Sequence, residues 1–243
     1  MKKIEGYVHL NSYYLKEVPE ILNDVIITDY LDLSENKIKN LTNFPLSAQS
    51  IYLMYNPLTS LVGIKQKKVE SLDLNGTKII NLEGCPEEVQ ILHISYVPTF
   101  NSLQGSLKKI TSYGSLKITN TSLQSLENFP VIENRVSINL VNNKINSLIG
   151  MPKKCHDLQL TGNPLRNMIG GPEHLTGDLF LFEHNLENFD GFPRVIEGDV
   201  SMSTSIMFNN PLMKSRGYFT EQLLKRCKVY GNVYINDRHY EQI

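Results

Sequence analysis

The side chains that could carry chemistry are six histidines, three cysteines and a scatter of carboxylates. The histidines are His9, His93, His156, His174, His184 and His239. No two of them stand at a metal-ligand spacing, so no metal centre is expected. The cysteines, Cys85, Cys155 and Cys227, are odd in number and far apart, with no C-x-x-C pair. Three reduced core thiols in a cytosolic protein are the expectation. Neither standard phosphate-cradling Gly loop occurs, nor does G-x-S-x-G. The expectation is a protein that is not an enzyme and takes no cofactor.

Any remaining chemistry depends on the elements that position it, and these repeat. The stretch LDLSENKIKNLTNFP (31–45) returns as LQLTGNPLRNMIGGP (158–172), with Asn163 where Asn36 stood. Relative to Asn36, apolar residues stand at minus 5 and minus 3 (Leu31, Leu33) and at plus 2, plus 5 and plus 8 (Ile38, Leu41, Phe44). The same register surrounds Asn56, Thr77, Thr121, Asn143, Asn163 and His184. Weaker copies centre on Tyr13, Pro98, Ser205 and Arg238, the Pro98 copy with one extra residue. The spacings are 20–23 residues, except the last, which is 33.

The minus-5 and minus-3 leucines have the period of a strand and share one face. A strand this short cannot stand alone, so the copies must stack into a parallel sheet. The sharp turn that follows leaves backbone groups inside without partners. An Asn side chain, with an acceptor and a donor, satisfies two of them. A ladder of Asn36, Asn56, Thr77, Thr121, Asn143, Asn163 and His184 is therefore expected, with a local distortion at Pro98. Only six to nine residues remain for each return, usually opened by Pro. Extended or polyproline-like returns are expected rather than helices. Glycines at or beside plus 7 (Gly84, Gly150, Gly170, Gly191) suit tight corners. Gly177-Asp178 and Gly198-Asp199 lead directly into strands.

The fold class expected is an α/β solenoid that is mostly β, with about 10 coils and a parallel sheet on the concave face. One continuous domain is read as a cap with a degenerate repeat at 1–22, the solenoid at 23–210 and a second cap at 211–243. Both ends of a solenoid need covering. Tyr13 and Tyr14 are expected over the first coil. The segment YFTEQLLKRCK is expected as a short helix, with Thr220 as N-cap and Phe219, Leu223, Leu224 and Cys227 on one face.

The L-x-L-x-x-N-x-L register at this period resembles the leucine-rich repeat, over residues 6–210 with a last strand at 232–236. The short unit with Pro on the return resembles the bacterial type. The phrases NLEGCPEEVQILHI and SLIGMPKKCHDLQLTGNPL resemble repeats common in proteins of tailed bacteriophages. The resemblance implies a horseshoe and a viral origin. Secreted effector ligases join such repeats to a domain with a nucleophilic Cys. Only about 33 residues follow the last full repeat here, too few for that domain, so Cys227 is not read as a nucleophile.

Side chains between the strand leucines face the concave surface. The N-terminal half places Tyr30, Tyr52, Tyr55, His93 and Tyr96 there, with Asp32, Glu35 and Asp73 beside them. Aromatic anchors among polar groups are typical of protein interfaces. The C-terminal half offers Asp178, Phe180, Phe182 and Glu183. Two large apolar groups on an exposed strand face call for a partner, a flanking loop or a second subunit. His9, Asp32, Asp73 and His93 share the face, but about 4.8 Å per strand puts coils one and five about 19 Å apart, too far for concerted catalysis.

The expected partner is a host or viral protein, in one version a host antiviral defence component that this protein inhibits. The alternatives are a virion-associated structural protein, or a sponge for a small molecule or nucleotide at Tyr52, Tyr55 and Tyr96. The net charge is -1 and half of the 24 Lys and Arg lie in residues 1–120, which disfavours nucleic acid. The basic start MKKIEGYVHLNSYY lacks the apolar segment of a signal peptide, and no 18-residue apolar run occurs. A cytoplasmic protein with no membrane partner is expected. Self-association through a first or last strand edge stays open.

Overall fold

A computed structural model describes residues 2–203 and 216–236, and the side chains of 220–235 within the latter. The positions marked at Ser205 and Arg238, and the side chain of Phe219, lie outside that description. The strands Val8–His9, Tyr30–Asp32, Ser50–Tyr52, Lys68–Asp73, Glu88–Ser95, Lys109–Thr119, Ser137–Asn139, Leu158–Gln159, Leu179–Leu181, Val200–Ser203 and Val233–Asn236 lie side by side in chain order, all parallel. One strand per coil builds a mostly β solenoid of about ten coils. The register carries the apolar period from coil to coil: Leu31 pairs with Ile51, Ile51 with Leu72, Leu72 with Leu92 and Leu92 with Leu116. All of these are buried, as are the closing residues Ile38, Leu41 and Phe44.

Two corners recur. The residue before the ladder place has a left-handed φ in nine coils: Ser12, Glu35, Tyr55, Gly76, Tyr96, Asn120, Asn142, Gly162 and Glu183. The second corner lies around plus 7, at Asn43, Gly63, Gly84, Gly105, Asn128, Gly150, Gly170 and Gly191, again with positive φ. At seven of these corners the following N–H donates to the plus-5 carbonyl, as Phe44 does to Leu41 and Cys85 to Leu82, while after Gly105 the Ser106 N–H donates to Leu82 of the preceding coil. A four-residue turn with positive φ at its third residue is type II. A Cβ on Gly84 would stand 2.3 Å from the Val62 backbone nitrogen, so this position is restricted in space as well as in φ.

The first corner re-registers the fifth coil. Tyr96 is its left-handed residue, so Val97, fully buried, holds the ladder place. Pro98 lies outside and exposed, and the extra residue follows the ladder rather than distorting it. Thr99 Oγ1 donates to the Ile79 carbonyl at 2.8 Å beside it.

The returns are extended and pair with one another. Lys154–Cys155, His174–Leu175, Val195–Ile196 and Lys228–Val229 form a second parallel sheet, and Lys2–Ile4 pairs with Val25–Ile27. Two coils depart from the frame. Val89 pairs with Ile110 but Ile91 with Ser115, so Gln90 alone stands opposite residues 111–114. The next coil repeats the insertion, since Ile132 pairs with Ile110 and Ser137 with Ser115. Beyond it the return sheet is interrupted: among the described residues Val131–Ile132 pairs only with Lys109–Thr119, and Lys154–Cys155 only with His174–Leu175.

The ends differ from the sequence expectation. The helix spans Arg216–Leu224, so Thr220 lies within it rather than at its N-cap. Leu223 and Cys227 are buried, but Leu224 is 50% exposed. Successive helical residues diverge by about 100°, which turns Leu224 off the buried face. Tyr13 and Tyr14 are 66% and 75% exposed and do not cover the first coil. The N–H of Leu15 is met instead by Asn36 Oδ1 at 2.8 Å.

Candidate functional site

The sheet face that points away from the core is held by the ladder beneath it. Asn36 Oδ1 accepts from Leu15, and its Nδ2 donates to the carbonyls of Leu10 and Leu33. Asn56 does the same between Ile38, Leu33 and Leu53, and Asn163 between Ile145, Leu140 and Leu160. Asn143 Oδ1 accepts from both the backbone N–H and the hydroxyl of Thr121, and its Nδ2 donates to Ile118 and Leu140. Thr77 makes one bond, to the Leu74 carbonyl at 2.7 Å. His184 Nδ1 accepts from the Leu186 N–H at 3.1 Å, so its Nε2 carries the proton and donates to the Ser203 carbonyl at 2.8 Å. Burial holds this imidazole down to about 4, against the opposing hydrogen bond to Ser203.

Across the outward face, cross-strand pairing sets His9, Asp32, Tyr52, Asp73, His93 and Lys117 in one row. Tyr52 stands between the two aspartates, and each aspartate has a histidine on its other side. His9 Nδ1 is 3.7 Å from Asp32 Oδ2, and His93 Nδ1 is 3.7 Å from Asp73 Oδ2. The other oxygen of each carboxylate accepts a backbone N–H of its own turn, from Ser34 at 2.9 Å and Asn75 at 3.0 Å. A second row begins with Tyr7 and Tyr30, whose rings stack at 4.9 Å and 1°. Tyr30 meets Tyr52 edge-on at 5.9 Å. Burial, then the neighbouring Tyr7, Asp29 and Asp32, push the Tyr30 hydroxyl above its ordinary value. Tyr7 shares the column of Tyr30 in the repeat, which is the signal that adds it to this site. Tyr55 and Tyr96 belong to the neighbouring left-handed row, at 57% and 67% exposure.

The C-terminal set stands apart. Phe180 shares the row of Tyr52, but six strand intervals further on, about 29 Å at about 4.8 Å each. Phe180 and Phe182 are half-buried, and the Phe182 N–H donates to Thr161 Oγ1. Asp178 Oδ1 accepts the Asp199 N–H, which ties it to the scaffold. Glu183 is exposed on the left-handed row beside His184. Tyr30, Tyr52 and His93 therefore form one region, with Tyr55 and Tyr96 at its edge, and Asp178, Phe180, Phe182 and Glu183 form another.

Among the described residues, no three His, Cys, Asp or Glu side chains gather to hold a metal. Burial pushes the thiols of Cys85, Cys155 and Cys227 up, the last two to about 12. No helix among the described residues is long and apolar enough to cross a membrane. Fold and site together define a β-solenoid whose outward sheet face carries an aromatic and acidic region near its N-terminal end. No family model, curated protein or solved structure matches the chain.

Proposed function

We propose that the protein is a non-enzymatic binding module of the leucine-rich-repeat kind, holding a partner protein on the outward face of the long sheet. The observation that carries this reading is the Tyr7–Tyr30–Tyr52 cluster flanked by Asp32 and Asp73. Stacked rings on a rigid sheet offer large contact area at low entropic cost, which is how interface anchors work. The carboxylates at either side of Tyr52 favour a partner surface carrying basic groups. The L-x-L period and its ladder Asn support the leucine-rich-repeat reading. The phage-like phrases around Cys85 and Met151 support a host or viral partner in the cytoplasm of an infected bacterium. One form of that role is inhibition of a host antiviral defence component.

The test is recovery of partner from a bacterial host lysate by the intact chain, by Tyr30→Ala/Tyr52→Ala and by Phe180→Ala/Phe182→Ala, each with its unfolding midpoint measured. The expected result is a protein kept by the intact chain and the phenylalanine variant and lost by the tyrosine variant. Equal recovery by the intact chain and the tyrosine variant overturns the proposed face.

A further inference from the structure

The two inserted segments, 111–114 and 133–136, stack on each other as a double bulge. The Tyr113 N–H donates to the Asn134 carbonyl at 2.9 Å, and the N–H and hydroxyl of Ser112 both reach Glu133 Oε2 at 3.0 Å. Tyr113 and Arg135 have left-handed φ of 59° and 55°. Bulges and left-handed residues with side chains both collect at functional sites, where they aim side chains that regular strand would not. Here they lay the Arg135 guanidinium over the Tyr113 ring, 5.7 Å from its centre, as a flat exposed wall.

The wall stands where the return sheet is interrupted. A groove of about 570 Å³ opens between it and Lys154, His156, Thr176 and Glu197 of the following coils, within the size range of small-molecule sites. The acids that line it are already engaged. Glu133 is held by Lys109 at 3.1 Å as well as by Ser112, and Glu197 Oε1 lies 2.7 Å from His174 Nε2. Arg135 rests on a ring, and Lys154 has no carboxylate at ion-pair distance among the described residues. His156 Nδ1 and Thr176 Oγ1, 3.1 Å apart, add polar atoms to the groove.

We propose that this groove binds a small molecule in which a planar ring is joined to a phosphate. The ring lies on the Tyr113–Arg135 wall, since guanidinium and phenol planes both stack. The phosphate sits at Lys154 and Arg135 beside His156. Two uncompensated cations match the nearly double charge of a phosphate monoester better than the single charge of a carboxylate. The site is on the return flank, independent of the tyrosine face. Here a ring and two cations line one groove.

Calorimetric titration of the intact chain with AMP, ribose 5-phosphate and adenosine at low salt tests this. AMP is expected to saturate and to bind at least about tenfold tighter than either part alone. Arg135→Ala and Lys154→Ala, both at exposed positions, are each expected to weaken AMP by about fivefold or more at an unchanged unfolding midpoint. Tyr113→Gly, which accepts the left-handed backbone without strain, is expected to bring AMP down toward ribose 5-phosphate. The proposal is overturned if AMP gives no saturable signal up to about 10 mM. It is also overturned if ribose 5-phosphate equals AMP, or if the three variants bind AMP as the intact chain does.

Discussion

Asp178 accepts the backbone N–H of Asp199 on its carboxylate at 2.7 Å. The contact repeats on either side: Asp157 accepts from the Asp178 N–H at 2.9 Å and Asp199 from the Asn232 N–H at 2.7 Å. Each carboxylate lies against the glycine that precedes the next coil's strand. A Cβ on Gly198 would stand 2.1 Å from Asp178 Oδ1, and one on Gly177 2.0 Å from Asp157 Oδ1. Neither glycine has a left-handed φ, so both positions are glycine for space alone. A second ladder, on the outward side, thus stitches the last coils together.

Gly198→Ala is expected to lower stability by about 1–3 kcal/mol through overpacking. Asp178→Ala/Gly198→Ala should cost less than the sum of its two single changes, because removing the carboxylate removes the closest contact of the new Cβ and leaves only that with the Gly177 backbone at 2.7 Å. Urea unfolding of the four chains gives the cycle. Strict additivity would show that the two side chains do not meet.

Asn163→Ala is expected to cost about 1–3 kcal/mol, since it strands the Ile145 N–H and the Leu160 carbonyl inside the coil and leaves the Leu140 carbonyl with its bond from Asn143 alone. Thr77→Ala removes one hydroxyl bond and should cost less. The order of the two urea midpoints is the measurement, and a neutral Asn163→Ala would deny the ladder its structural weight.

His184 makes stability depend on pH. Burial lowers its folded value from 6.5 to about 4. The folded chain keeps the ring neutral while the unfolded chain takes up a proton below about 6.5, so the unfolded state binds more protons in this window. Stability is full above pH 6.5 and falls toward pH 4, by up to about 3 kcal/mol. His184→Asn keeps a ladder donor and acceptor and removes the titration. Its unfolding free energy between pH 7.5 and 4.5 should fall by less than that of the intact chain. Equal falls would place the acid sensitivity elsewhere.

The leucine period and the ladder residues are readable in the sequence because each coil must spend the same positions on the same core. The corners are half readable. Gly76, Gly162, Asn120 and Asn142 are ordinary left-handed residues, but Tyr55, Tyr96 and Glu183 hold the same corner with no propensity for it. That silence is why Pro98, the residue that breaks the pattern most visibly, draws attention away from Val97. The Gly-Asp pairs stand out as text, yet their meaning needs the neighbouring coil's carboxylate in place. The double bulge is hidden more deeply. Its three extra residues per coil lengthen the repeat by no more than ordinary variation, and the groove exists only because the return sheet is interrupted beside it. Thr220 looks like a cap by type, but the helix begins upstream of it.

Tyr96 and Tyr55 separate strain from function. Both are held left-handed, at φ 58° and 54°, a conformation that costs a residue with a Cβ about 1–2 kcal/mol and that Asn tolerates. The Tyr96 ring is 67% exposed, so Tyr96→Asn gives up little burial and is expected to raise stability by about 1 kcal/mol. The Tyr55 ring lies over Gly76, where a Cβ would stand 2.5 Å from its Cδ1, so Tyr55→Asn forfeits a packing contact and should gain less. Urea unfolding of both variants checks the order, and a loss of stability in Tyr96→Asn would mean that the ring contributes more to the fold than its exposure indicates. If the outward face binds a partner as proposed, recovery of that partner should fall in Tyr96→Asn while stability rises. A tyrosine kept in a corner that favours asparagine then costs the fold and serves the contact, as expected where strain is retained at a working surface.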